Sequence, residues 1–112
     1  MNLDGHLRAL AELRATRRKL DPVLDHRTYV ENGHGIAIHA VAAGALRRYG
    51  VDLDRHQGMA RWLRERGHPE VADAVEAVER LRAAHWYGGR GNGDAARQLD
   101  RHLEALEAWA LA

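Results

Sequence analysis

Leucine, alanine and valine recur every three or four positions in successive runs along this chain, and each run but the last ends at a proline or a glycine. Such spacing gathers apolar side chains on one face of an α-helix, and no segment shows the sustained two-residue alternation of a strand. The first run, Leu3, Leu7, Leu10, Leu13 and Leu20, predicts a helix of about 4.5 turns. Asp21-Pro22 should stop it, because the residue before proline is biased away from helical geometry. Thr28 is the expected N-cap of a second helix, Tyr29 to Tyr49, and Gly50 its C-terminal stop. That helix is rich in small residues: Gly33, Gly35, Ala37, Ala40, Ala42, Ala43, Gly44 and Ala45. Each interior glycine costs about 1 kcal/mol, so a closely packed neighbour should compensate.

Asp52 and Asp54 are expected to cap or precede a short helix bearing Met59, Trp62 and Leu63, which Gly67 ends. Pro69 and Glu70 suit the first turn of the next helix. Its stripe of Val71, Ala74, Val75, Val78 and Leu81 reaches His85, and the sequence GGRGNG (88–93) breaks it. Asp94 should cap a last helix with the stripe Ala96, Leu99, Leu103, Leu106 and Ala110. A chain of 112 residues has room for one domain. The expectation is a single all-α domain over 1–112, an antiparallel up-and-down bundle of four longer helices and one short helix.

Composition removes several chemistries. Cysteine and serine are absent, which excludes disulfides, thiolate metal ligation and both common nucleophiles. No run of about 18 apolar residues exists, and the start of the chain (Asp4, His6, Arg8) lacks a signal-peptide core, so a cytoplasmic protein without a membrane span is expected. Net charge is only +1, so any anion site must be local. Eight histidines invite a metal. Yet none are paired at HExxH spacing, and His34 and His39 lie five apart on different sides of a helix, so neither a metal site nor a cofactor is expected. The glycine-rich stretch carries no Walker lysine and follows no strand, which leaves it a helix-to-helix turn.

The stretch Arg80-Leu81-Arg82-Ala83-Ala84-His85-Trp86-Tyr87 carries the chemistry. Arginine grips phosphate by two-point hydrogen bonds, histidine moves protons near neutrality, and tyrosine or tryptophan stacks on bases. From 80 to 101 there are five arginines (80, 82, 90, 97, 101) against two aspartates (94, 100), a local excess of three positive charges. On a regular helix Arg82 and His85 are neighbours, whereas positions 80 and 85 lie about 140° apart. His85 also continues the apolar stripe, where a histidine is often a core residue.

Three stretches resemble the HEPN family, small helical bundles often found beside minimal nucleotidyltransferases in prokaryotic toxin–antitoxin modules. They are Tyr29-Val30-Glu31-Asn32 running into AIHAVAAGALRRYGV, His56 with MARWLRERG, and VERLRAAHWYGG followed by DAARQLDRHLEALEAW. The family signature is an arginine, four to six residues, then a histidine. Arg80 to His85 is similar to it, and Tyr87 to its extended form. Leu81 stands where the family commonly has a polar residue. The resemblance implies a HEPN-like fold and a metal-independent ribonuclease or toxin-type RNase that works as a homodimer. In it His85 would be the acid/base, Arg80 the phosphate contact and Tyr87 a supporting residue, with Arg82, Arg90 and Trp86 binding RNA or nucleotide. The alternatives are a non-cutting RNA- or nucleotide-binding module partnered with a minimal nucleotidyltransferase antitoxin, and a plain helical interaction protein. The small residues of the second helix are the expected dimer face.

Overall fold

Among the described residues five helices carry the five apolar runs: α1 (Leu3–Arg17), α2 (His26–Tyr49), α3 (Met59–Glu65), α4 (Pro69–Trp86) and α5 (Asp94–Leu111). The computed structural model describes residues 1–53, 55–86 and 93–112, with the side chains of His85 and Trp86 outside that description. Cross-helix partners fix the directions. Arg17 meets Tyr29 and Asn32 at the start of α2, whereas His6 meets His39 farther along, so α1 and α2 are antiparallel. Arg82 with Glu31 and Glu79 with His34 set α4 antiparallel to α2 in the same way. Gly33 faces Leu99 and Gly44 faces Trp109, so α5 runs parallel to α2. The four longer helices therefore go up, down, up and down, with short α3 packed on α4. The bundle read from the sequence is the bundle found.

One core draws on every helix: Leu10 from α1, Val30, Ile36 and Val41 from α2, Met59 and Leu63 from α3, Val75 and Val78 from α4, and Leu99, Leu103 and Leu106 from α5. Burying each such side chain contributes about 1.5–3 kcal/mol. The whole predicted stripe of α5 is buried, whereas on α1 only Leu10 is, with Leu7 and Leu13 packed at the core's edge. Among the described residues no helix is long and apolar enough to cross a membrane.

The small residues of α2 are used within the chain. A methyl added at Gly33 would come within 2.7 Å of Leu99 Cδ2, and one at Gly44 would collide with the Trp109 ring. Ala40, Ala42, Ala43 and Ala45 are fully enclosed. α5 covers Gly33 and Gly44, and Leu13 of α1 covers Gly35, so the close neighbours these small residues call for are helices of the same chain.

Helix ends correct several expectations. α1 stops at Arg17, before Asp21-Pro22, as the Lys19 and Leu20 N–H groups turn back to the Thr16 and Arg17 carbonyls. α2 begins at His26, so Thr28 lies inside it. The Asp25 carboxylate at its start accepts from the Asp21 N–H instead of capping the helix. Asp52 precedes α3 without capping it, Gly58 taking the cap position. The Asp52 carboxylate accepts from the terminal ammonium at 3.3 Å and approaches His6 Nε2 at 3.6 Å. Asp54 lies outside the described residues. Gly93, at φ +98°, takes the cap position expected of Asp94, which pairs instead with Arg97. Gly50 does end α2 at φ +66°, its N–H bonded to the Leu46 carbonyl at 3.0 Å.

Candidate functional site

The charged residues between 80 and 101 sort themselves by partner. Arg82 turns toward α2, where its Nε donates to both Glu31 carboxylate oxygens at 3.3 and 3.1 Å. Arg97 is paired with Asp94 within the first turn of α5. Asp100 is taken by α1: Arg17 Nη2 donates to it at 2.6 Å and the Tyr29 hydroxyl at 3.0 Å. Arg80 and Arg101 have no ion pair among the described residues. Of the sequence-predicted site residues, the side chains of His85 and Trp86, and the whole of Tyr87 and Arg90, lie outside the described residues.

Arg80 points across to α5. With Ala77, Leu81, Ala84, Gln98 and His102 it lines a groove of about 310 Å³ between α4 and α5. His102 is a candidate site residue that no sequence pattern marks. Its pKa is lowered from the ordinary 6.5, first by burial and then by the positive charges of Arg101 and Arg80. It therefore stays neutral near pH 7, offering one ring nitrogen as donor and the other as acceptor. No spacing signals it, because position 102 lies beside the apolar stripe of α5 and reads as an ordinary flank. The groove thus offers a cationic fork, a neutral imidazole and the Gln98 amide over an apolar floor.

The backbone of α4 continues as helix through His85 and Trp86. Positions 80 and 85 therefore stay about 140° apart on one chain, and Arg80 shares its groove with His102. Arg82, predicted to contact RNA, is the arginine that answers Glu31.

Two further polar clusters lie elsewhere. The first is Arg17, buried between α1 and α2, whose Nη1 donates to the Tyr29 carbonyl and Asn32 Oδ1 at 2.9 and 3.1 Å. Its guanidinium lies 3.6 Å from the centre of the Tyr29 ring. Every group there is paired, which marks it as structural. The second joins His34 of α2, His56 of the α2–α3 connection and Glu79 of α4. No metal cluster was expected from the sequence, because these three residues come from three separate segments and share no spacing within one helix.

No family model matches the chain, and no curated protein or solved structure matches it either.

Proposed function

We propose that the α4–α5 groove binds the phosphates of single-stranded RNA, with Arg80 and Arg101 as the phosphate contacts and His102 as a neutral hydrogen-bonding partner. The observation that carries this is the charge left after pairing. Arg82, Arg97, Asp94 and Asp100 are all answered by partners, while Arg80 lines the groove and exposed Arg101 lies near enough to His102 to lower its pKa, neither with an ion-pair partner among the described residues. Cations held apart from their own chain's acids are available to a polyanion, and arginine meets phosphate oxygens by two parallel hydrogen bonds.

The HEPN-like motif at the same end of α4 supports metal-independent cleavage as the reaction. In that reading His85 moves the proton of the ribose 2′-hydroxyl, Arg80 steadies the phosphate, Tyr87 assists, and Trp86 and Arg90 hold the strand. The 140° between positions 80 and 85 means that Arg80 and His85 act on one phosphate only across a homodimer, through a surface other than the covered small-residue face of α2. A partner nucleotidyltransferase belongs to the same reading. The observation favouring a binder that does not cut is that Arg80 shares a groove with His102 within one chain, together with Leu81 at a position commonly polar in that family.

Fluorescence anisotropy on a short labelled RNA tests the binding. Arg80→Ala should weaken it about tenfold or more, as loss of a charged hydrogen-bond partner does, while Arg82→Ala leaves it near wild type. Equal losses in both would remove the groove from the account. Cleavage that persists in EDTA and disappears in His85→Ala, with RNA affinity kept, selects the ribonuclease. Binding without cleavage of any RNA selects the binder.

A further inference from the structure

We propose that His34, His56 and Glu79 form a binding site for a divalent transition-metal ion of the zinc class, separate from the α4–α5 groove. One ligand atom from each residue lies within 4.8 Å of the others. His34 Nε2 is 2.8 Å from Glu79 Oε1. The His34 and His56 rings meet edge-on with centroids 5.3 Å apart. Two imidazole nitrogens and one carboxylate oxygen suit zinc, whereas calcium and magnesium favour oxygen alone.

A tetrahedral ion with bonds of about 2.1 Å holds its ligand atoms about 3.4 Å apart. Reaching that spacing opens the 2.8 Å His34–Glu79 contact by about 0.6 Å and closes a separation of up to 4.8 Å by about 1.4 Å at most. His34 is set rigidly, its side chain 11% exposed on the buried helix α2, while the Glu79 side chain is 39% exposed and His56 is exposed on a connection between helices. The fixed ligand and the two adjustable ones can therefore converge without disturbing the core.

The surroundings leave a coordination position open. A groove of about 470 Å³, lined by His56, Gln57, Arg61, Arg64, Glu76 and Glu79, opens beside the cluster. Glu76, one turn before Glu79, is held by Arg64 and does not compete as a ligand. Three protein ligands beside an open groove is the arrangement of zinc sites that keep water as an exchangeable fourth ligand. The ion would also tie the α2–α3 connection to α2 and α4.

Calorimetric titration of tag-free protein with ZnCl2 at pH 7.5 tests this, paired with Co2+ titration followed by visible absorption. The expected result is one ion per chain, the absorption of tetrahedral Co2+ and a higher Tm with Zn2+. His56→Gln and Glu79→Gln should each weaken Zn2+ binding by about tenfold or more. Both residues lie away from the closed core, so these variants should fold, unlike a change at the more buried His34, and their melting curves report it. Absence of saturable binding below about 100 µM Zn2+, or unchanged affinity in both variants, would overturn the site and leave His34–Glu79 as an ion pair.

Discussion

Replacing Arg17 by methionine keeps the alkyl stem and removes the buried guanidinium. Three hydrogen bonds go: to the Tyr29 carbonyl, to Asn32 Oδ1 and to Asp100. Asn32 Oδ1 is then left inside the protein without that donor, at about 1–3 kcal/mol. The stacking of the guanidinium on the Tyr29 ring, 3.6 Å away, accounts for about 1 kcal/mol more. Removing one member of a fully buried pair costs about 3–5 kcal/mol, but the Asp100 side chain is 43% exposed and recovers water. The expected loss is therefore about 3 kcal/mol. At an unfolding entropy of about 2.1 cal/mol/K per residue, 112 residues convert that to a Tm drop of about 13 °C. Asp100→Asn should cost only about 1 kcal/mol, because the amide oxygen still accepts from Arg17 and Tyr29 and only the charge assistance is lost. Urea unfolding of the two variants measures both. Losses equal within about 0.5 kcal/mol, or an Arg17→Met loss below about 1 kcal/mol, would refute the reasoning, since the buried bonds to α2 would then count for nothing.

Gly44→Ala should destabilise by about 1–2 kcal/mol, as overpacking against the Trp109 ring exceeds the gain in helix propensity, with Trp109 fluorescence altered. Gly35→Ala, whose added methyl meets only the end of the Leu13 side chain at 3.2 Å, should be neutral or stabilising in the same melting assay. His39 is lowered from 6.5 by burial and by His6, and His102 by burial and its two arginines. As pH falls through 6.5 the unfolded chain takes up these protons before the folded one, so stability present above that pH is lost. Tm should fall between pH 7.5 and 6, and fall less in His39→Gln; a flat profile would contradict this.

The helix count, the order of elements and the α5 stripe were all readable, because a helix buries one face and 3.6-residue spacing records that face directly. Helix starts were less so: Thr28 and Asp94 have the chemistry of caps, but the turn over Asp21–Asp25 and the left-handed Gly93 set the ends instead. The small residues of α2 promised close packing without saying against what, and Leu99 and Trp109 supplied the answer. Sites were hardest. Arg80, Arg82 and Arg97 look alike in sequence, and only partners from α2 and α5 separate the answered charges from the unanswered one. His102 and the His34–His56–Glu79 cluster depend on contacts between segments far apart in the chain, which no local spacing encodes.

The central claim is that Arg80 and Arg101 neutralise RNA phosphates. The direct measurement is the slope of log K against log salt concentration for a short single-stranded RNA, in wild type and in Arg80→Ala/Arg101→Ala. Each neutralised phosphate contributes about −0.7 to that slope, so losing two contacts should make it shallower by about 1.4. Arg82→Ala/Arg97→Ala, which removes the same charge from answered positions, should leave the slope close to wild type. A slope unchanged in the first double variant, or reduced equally in both, would contradict the account.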